Sequence, residues 1–146
     1  MNRPTWDETF LEICDVIAKK SKDESTKVGC VIVGENNEIL SVGYNCFPCG
    51  IIDNDPDRQI RPDKYMWLEH SERNAIYNAA RNGTRLENST IYIPWHPCSD
   101  CARAIIQVGI KEIVLGTSEI MERWGRSCEI AGTMLKEAGI YTREVG

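Results

Sequence analysis

Four residues in the middle of the chain have types and spacings that suit metal chemistry. His70 and Glu72 form an H-x-E pattern, and Cys98 and Cys101 form a P-C-x-x-C pattern. Zinc readily accepts one imidazole and two thiolates. Three protein ligands leave a fourth tetrahedral position for water, which distinguishes catalytic from structural zinc sites. The sequence therefore predicts a catalytic zinc ion held by His70, Cys98 and Cys101.

Glu72 is predicted to be an acid–base group rather than a ligand. Two residues span about 200° of a helix, so His70 and Glu72 can face one cavity only in a first turn, where the geometry is looser. Both patterns open predicted helices, and the positive end of a helix favours the thiolate form of nearby cysteines. Bound zinc lowers the pKa of water towards neutrality, and a neighbouring carboxylate can then move its proton.

The C-x-x-C pattern alone has other interpretations. A redox pair is expected beside a thioredoxin-like order of elements, which this chain lacks. A structural Cys₄ zinc site would join these cysteines to Cys46 and Cys49, but it would leave H-x-E without a role. The combination of H-x-E with P-C-x-x-C is instead the signature of zinc nucleobase deaminases.

The elements that must position these residues follow from hydrophobic spacing and helix-ending signals. Thr5 and Glu8 form a capping pattern before a first helix that fades near Ser21. Further helices are predicted over residues 69–81, 98–108 and 127–138, and strands over 28–33, 38–44, 91–95, 112–116 and 140–145. This order predicts an α/β fold, a three-layer α/β/α sandwich with a five-stranded mixed sheet that starts with an antiparallel hairpin.

Residues 45–67 are predicted to be an irregular loop, with prolines at 48, 56 and 62. Loops of this length in a compact domain are usually functional.

Composition indicates a globular protein with one domain over residues 1–146. Hydrophobic residues make up 42% and charged residues 27% of the chain. A net charge of −5 and a pI near 5.1 argue against extended nucleic acid as a partner. We expect no membrane span and no secretory signal, hence a cytoplasmic protein. Seven cysteines are then better interpreted as metal ligands and buried thiols than as disulfides.

Several further segments resemble one family. They are residues 21–33, ending in KVGCVIV, the GYN of 43–45 with Pro48, the NAI of 74–76 and the AIIQVGIK of 104–111. With the zinc motif, they resemble the deoxycytidylate (dCMP) deaminases of the cytidine deaminase superfamily over most of the chain. Ser71 replaces the family's usual alanine, Cys46 replaces a glycine, and the loop up to His70 is this chain's own.

The resemblance implies a cytidine deaminase-like fold and hydrolytic deamination of dCMP to dUMP and ammonia. It assigns His70, Cys98 and Cys101 to one catalytic zinc per chain. It implies that Glu72 takes a proton from water, passes it to ring N3 and later protonates the leaving amino group. It also implies that Asn45 hydrogen-bonds the sugar, although asparagine after a strand is also a common turn residue.

Weaker candidates surround this set. Trp95 can stack on the base or be a rim or core residue. Lys27 is a candidate for the substrate phosphate, among cations that are otherwise solvated: Lys22, Lys27, Arg58, Arg61 and Lys64. A second zinc on Cys46, Cys49 and His96 is not expected, since the chain has only two histidines. The remaining cysteines are predicted to be buried: Cys14, Cys30 and Cys128.

Related functions stay open. The substrate can be cytidine, CMP, a modified deoxycytidylate or another nucleobase, or the chain can be a non-catalytic zinc-binding regulatory module. Glu72 argues against the last, since a structural site has no use for that carboxylate. The resemblance also implies a small-molecule nucleotide as partner and a homo-oligomer, with hexamers frequent in the family.

Overall fold

The first helix shows how local sequence sets an element of this fold. The computed structural model describes residues 2–145, and α1 spans Trp6–Ala18. The Thr5 hydroxyl oxygen accepts a hydrogen bond from the Glu8 backbone N–H at 3.1 Å, as the capping pattern predicts. Phe10 and Cys14 are one turn apart and both buried, so this face packs on the sheet.

The other elements follow in the predicted order, with one additional short helix. They are β1 (Gly29–Val33), β2 (Ile39–Tyr44), α2 (Lys64–Trp67), α3 (Ser71–Asn82), β3 (Thr90–Ile93), α4 (Ser99–Gln107), β4 (Glu112–Leu115), α5 (Gly125–Glu137) and β5 (Tyr141–Glu144). Boundaries differ from the predicted ones by a few residues. Gly83 ends α3 in the left-handed conformation at φ 69°, which glycine adopts without a steric penalty.

The sheet is five-stranded and mixed, in the order β2-β1-β3-β4-β5. β1 pairs antiparallel with β2 and β3, while β3, β4 and β5 run parallel. Parallel neighbours need a crossover, and α4 and α5 provide the two crossovers. The predicted mixed sheet with an initial hairpin is therefore confirmed.

Alternate residues of the strands face two separate apolar layers. Val31 and Val33 of β1 pack with Phe10 and Cys14 of α1, whereas Ile32 faces the opposite side. That opposite layer contains residues of α3, α4 and α5, among them Ala75, Ile76, Ala79, Ala102, Ile105, Ala131 and Leu135. One helix thus covers one face and three cover the other, which confirms the three-layer α/β/α sandwich.

A glycine sets how closely α3 approaches the sheet. A Cβ atom at Gly43 of β2 would lie 2.4 Å from both the Ser71 carbonyl oxygen and the Ala75 backbone nitrogen. Only a residue without a side chain fits there, so the start of α3 lies directly against β2. This contact holds the H-x-E segment against the sheet.

The connections differ from the sequence prediction in one respect. The segment 45–67, predicted to be irregular, contains a 3-10 helix at Pro56–Gln59 and the short α2. The connection between β4 and α5 also includes a 3-10 helix, Glu122–Trp124. Local periodicity over three or four residues is too short to signal such helices. Within residues 2–145, no helix has the length and apolar character needed to cross a membrane.

Candidate active site

The two motif segments begin adjacent helices. His70 is the N-cap of α3 and Cys98 is the N-cap of α4, and both have extended backbones, with ψ of 156° and 172°. Neither side chain caps its own helix by a hydrogen bond. Their side chains are therefore free to point towards each other, and Cys101 follows in the first turn of α4.

Three donor atoms converge at this point. The Nδ1 atom of His70 lies 3.4 Å from the Sγ atom of Cys98 and 3.4 Å from that of Cys101. All three ligand atoms lie within 4.8 Å of one another. A tetrahedral zinc ion with Zn–S near 2.3 Å and Zn–N near 2.0 Å would separate nitrogen from sulfur by about 3.5 Å. The donor types and their separation thus fit zinc without rearrangement.

The pKa values of these three groups are shifted, because their donor atoms lie close together. Hydrogen bonds from Cys101 and His70 lower the pKa of the Cys98 thiol to about 4. The hydrogen bond to Cys98 and burial raise the pKa of Cys101 well above its usual value. Burial opposes a charge on His70, but its contacts with Cys98 and with the negative charge of Glu72 outweigh that effect and raise its pKa. A thiolate is already favoured here, and a cation would take the place of the shared protons.

Glu72 lines the same pocket as His70 and Cys98. Its side chain is only 6% exposed, and its Oε1 atom accepts a hydrogen bond from the Ser71 hydroxyl at 2.6 Å. His70 lies just before the helix with an extended backbone, so the rotation of about 200° between helical residues two apart does not apply to it. The side chains of His70 and Glu72 can therefore face the same cavity. His70 and Glu72 both line the pocket, and Ser71, the departure from the family's usual alanine, supplies the carboxylate's hydrogen-bond partner.

An arginine that contacts two carboxylates links the starts of α3 and α4. The Arg73 guanidinium contacts the Glu69 carboxylate, and its Nη1 atom lies 3.3 Å from the Asp100 Oδ2 atom. Glu69 precedes His70, and Asp100 lies between the two cysteines. Arg73 therefore ties the segment carrying the imidazole to the segment carrying the thiols.

Asn45 also lines the pocket and is 8% exposed. Its Oδ1 atom accepts from the Val28 backbone N–H at 2.8 Å, and its Nδ2 atom donates to the Thr26 carbonyl at 2.8 Å and to Asp23 at 3.4 Å. Both amide protons are thus used within the protein, and one lone pair of Oδ1 stays available. Asn45 orders residues 23–28 in addition to any contact with a ligand.

Some of the weaker candidates line the pocket and others do not. Trp95 follows β3 and lines the pocket, as does His96. Lys27 is not among the lining residues, and its Nζ atom donates instead to the Ser21 carbonyl. Arg61 and Lys64, from the same group of cations, do line the pocket.

Among the lining residues that the sequence does not single out are Asp23, Tyr65, Arg123 and Trp124. Asp23 lies in a connection, and the other three lie in short helices without a periodic face. Arg123 and Trp124 come from the 3-10 helix before α5, where no sequence motif marks them.

The other cysteines do not join the donor set. Cys14, Cys30 and Cys128 are buried, as predicted, and Cys128 also lines the pocket. Cys46 lies near the Asn74 amide, and the Sγ atom of the exposed Cys49 lies 3.8 Å from the Arg81 Nη1 atom. Within residues 2–145 the only converging set of three His, Cys, Asp or Glu side chains is His70, Cys98 and Cys101.

A mixed sheet with two helix starts that bring together an imidazole, two thiols and a carboxylate defines a centre of the zinc deaminase class. Residues 4–117 match the model of the cytidine and deoxycytidylate deaminase zinc-binding region. The chain belongs to this family, and the deaminase fold expected from the sequence is confirmed.

Relatives found by sequence similarity support this family assignment. An uncharacterised deaminase of Aliivibrio fischeri is 36% identical over 137 residues, covering 92% of this chain and 90% of that protein. A probable deoxycytidylate deaminase of Caenorhabditis elegans is 42% identical over 110 residues, and the deoxycytidylate deaminase of Homo sapiens is 38% identical over 114. These two alignments cover 73% and 75% of this chain, but only 54% and 63% of the relatives.

Among solved structures, a dCMP deaminase from the cyanophage S-TIM5, in complex with dCMP and dUMP, superposes with a TM-score of 0.79. The alignment covers 99% of this chain and all of the other, at 22% identity. At this identity the similarity establishes the fold.

Proposed function

We propose that this protein is a zinc-dependent hydrolase that converts dCMP to dUMP and ammonia. The observation that carries the proposal is the convergence of His70, Cys98 and Cys101 within 4.8 Å beside the buried Glu72. Relatives named as deoxycytidylate deaminases, and the cyanophage enzyme crystallised with dCMP and dUMP, support the choice of substrate.

His70, Cys98 and Cys101 would hold the zinc ion, with one ion per chain. When bound, zinc supplies the Lewis acidity that activates water at neutral pH. The three residues provide one neutral nitrogen and two thiolates. The Arg73 guanidinium lies nearby, between Glu69 and Asp100, and offsets part of that negative charge.

Glu72 would carry the protons. Its carboxylate takes a proton from the attacking water and delivers it to ring N3, which makes C4 of the cytosine electrophilic. After attack at C4, the carboxylate takes the proton of the new C4 hydroxyl and donates it to the exocyclic amino group, so that the C4 carbonyl forms and ammonia leaves. Burial keeps bulk water from competing for that proton, and the Ser71 hydroxyl fixes Oε1, so Oε2 is the oxygen free to face the substrate.

Three cations in the pocket lining suit an anion. Arg61, Lys64 and Arg123 line the pocket, and their cationic groups lie 3.1, 2.7 and 3.5 Å from hydroxyl oxygens of Ser25 or Thr26. We propose these three cations as the phosphate site in place of Lys27, which does not line the pocket and whose ammonium group donates to the Ser21 carbonyl. Phosphate would draw all three together by charge-assisted hydrogen bonds.

The sugar and the base of the substrate would meet Asn45 and Trp95, respectively. Asn45 would accept a hydrogen bond from a sugar hydroxyl through the second lone pair of Oδ1. Trp95 would offer an apolar surface to the base. Assembly into homo-oligomers and a cytoplasmic location remain predictions that size-exclusion chromatography and cell fractionation can test.

Loss of ultraviolet absorbance provides the first test of function. The zinc-loaded protein is incubated in parallel with dCMP, CMP, deoxycytidine and dCTP. Selective turnover of dCMP is expected, because the cations in the pocket lining favour a single phosphate. Turnover of deoxycytidine alone would contradict the phosphate requirement, and no turnover of any cytosine compound would favour a non-catalytic zinc module.

Glu72→Gln tests the proton carrier. The amide keeps the size of the side chain but cannot accept the proton, so turnover should fall at least a hundredfold while zinc, measured by metal analysis, stays at one per chain. Glu119→Gln is the matched control, because Glu119 also lines the pocket but is exposed. Full activity of the Glu72 variant would reject the assignment.

A further inference from the structure

Two cysteines outside the zinc-ligand set lie near each other in the connection that follows β2. Cys46 and Cys49 form a C-x-x-C pattern of their own. All seven cysteines lie within the described residues 2–145, and Cys49 is the only exposed one. Burial and the negative charge of Cys49 raise the pKa of Cys46. The second of these effects is electrostatic, so it needs the two sulfur atoms to be close neighbours.

Cys49 has the surroundings of a reactive thiol. Its Sγ atom lies 3.8 Å from the Nη1 atom of Arg81, which belongs to the last turn of α3. A guanidinium beside a thiol favours the thiolate, and the thiolate is the form that attacks a disulfide. Cys49 therefore combines access from solvent with a cation that favours its reactive form.

Cys46 is held in a fixed position three residues away. Its backbone N–H donates to the Glu69 carbonyl at 3.1 Å, and its carbonyl accepts from the Glu69 N–H at 2.9 Å. Cys49 lies instead in an exposed turn, in which the Ile51 N–H donates to the Pro48 carbonyl at 3.1 Å. The C-x-x-C spacing allows a disulfide, as in the oxidoreductases that use it. An exposed attacking thiol next to a second, resolving thiol is the arrangement of redox-sensitive cysteine pairs.

We propose that Cys46 and Cys49 form an oxidisable dithiol that reacts with low-molecular-weight disulfides such as glutathione disulfide. Cys49 is the attacking thiol and Cys46 the resolving thiol. The protein disulfide that results weakens binding of the substrate. The dithiol itself stands on the contacts of the two cysteines, and only its effect on the substrate rests on the proposed function.

The reaction consists of two thiol–disulfide exchanges. The Cys49 thiolate attacks one sulfur of glutathione disulfide, whose S–S bond breaks, and one glutathione leaves as a thiolate that takes up a proton. The Cys46 thiol then loses its proton and attacks the Cys49 sulfur of the mixed disulfide. The second glutathione leaves in the same way. Two protein thiols are thus oxidised to one disulfide, and one glutathione disulfide is reduced to two thiols.

The dithiol is joined to both segments that carry pocket residues. Cys46 follows Asn45, which lines the pocket, and its backbone partner Glu69 precedes His70. The connection that a disulfide would constrain, residues 45–67, also carries two of the cations proposed for the phosphate. Oxidation should therefore affect substrate binding more than the proton transfers of Glu72, which lies outside this connection.

Mass spectrometry after differential alkylation tests the dithiol. The zinc-loaded protein is used, so that Cys98 and Cys101 are protected by the metal, and glutathione disulfide is the oxidant. The wild type should form the Cys46–Cys49 disulfide and keep its other thiols reduced. Cys46→Ser should stop at a stable glutathione adduct on Cys49, because the second exchange cannot occur, and Cys49→Ser should form neither product. A disulfide between other cysteines, or no adduct in Cys46→Ser, overturns the inference.

The rate of the first exchange tests the role of the guanidinium. Arg81→Met should react about twofold to fivefold more slowly than the wild type, which is the effect of one exposed charge pair. Arg85→Met is the matched control, because Arg85 follows the same helix but is exposed and contacts Glu87 instead. Equal rates in the two variants overturn the assignment of Cys49 as the activated thiol.

Steady-state turnover tests the link to the pocket. The oxidised wild type should show a KM for dCMP at least threefold above that of the reduced protein, with a smaller change in kcat, and dithiothreitol should restore it. Cys49→Ser should keep one KM throughout. A disulfide that leaves KM unchanged overturns the link. Failure of the reduced wild type to turn over dCMP overturns the proposed function, whereas the mass measurement still decides the dithiol.

Discussion

Replacing Lys64 by methionine should expose how strongly a buried charge supports the pocket. Lys64 and Asp23 form an ion pair at 2.8 Å, and their side chains are only 5% and 4% exposed. Methionine keeps most of the length and apolar volume of the lysine but removes its charge. The carboxylate of Asp23 then stays buried without its cation.

The expected loss of unfolding free energy depends on the hydrogen bonds that Asp23 keeps. Removing one partner of a buried ion pair typically costs about 3–5 kcal/mol of unfolding free energy. Asp23 keeps hydrogen bonds from the backbone N–H groups of Ser25 at 2.9 Å and Thr26 at 3.0 Å, so the lower end of that range applies. A loss of about 3 kcal/mol should lower the melting temperature by about 10 °C in a chain of this size.

Urea unfolding at neutral pH measures this loss. Lys22→Met is the matched control, because Lys22 pairs with Asp53 at 3.0 Å but is 66% exposed, and it should cost less than about 1 kcal/mol. The double variant Lys64→Met with Asp23→Asn should be more stable than Lys64→Met alone, since no unpaired charge remains. A Lys64→Met variant no less stable than Lys22→Met would refute the reasoning.

Three further predictions concern the surroundings of the site. Arg73→Met should lose zinc to a chelator about tenfold more readily than the wild type, because it breaks the link to Asp100. Arg103→Met removes an exposed partner of Asp100 and should lose zinc as slowly as the wild type. Equal zinc loss by the two variants would contradict the bridging role of Arg73. Ser71→Ala should keep zinc and lower kcat by less than about tenfold with little change in KM, as measured by steady-state turnover, because it removes one hydrogen bond to the carboxylate. The hydrogen bond from Arg143 lowers the pKa of Asp7, so the stability that this pair contributes is fully present above pH 3.8 and is lost as the pH falls through the lower folded-state pKa. Asp7→Asn should therefore flatten that part of the acid-unfolding curve, and an unchanged curve would contradict the prediction.

The regular elements and the donor set could be predicted because their signals are local. Thr5 caps α1, Gly83 ends α3, and the apolar runs of β1 and β4 mark buried strands without reference to the rest of the chain. The residue types and spacings of H-x-E and P-C-x-x-C then restrict the chemistry. Only the facing of His70 and Glu72 needed the structure, because it depends on the backbone of a single N-cap residue.

The proposed phosphate site could not be predicted in the same way. Lys64 reaches Asp23 across 41 positions of sequence, and Arg123 reaches Thr26 across 97. No periodicity records such pairs, and from sequence alone Lys27 is as good a candidate as Lys64. The connections take their conformation from these distant charges rather than from their own residue types.

The unusual starts of α3 and α4 connect metal loading to the lifetime of the protein. Both N-cap positions carry a zinc-ligand candidate that makes no capping hydrogen bond, although at α4 the Ser127 hydroxyl accepts from the Ser99 N–H. In the zinc-bound protein the metal would hold both helix ends in place. In the metal-free chain these ends should open more often, exchange their amide hydrogens faster and be cut sooner by proteases. Zinc supply would then set not only how fast each molecule works but how many molecules persist.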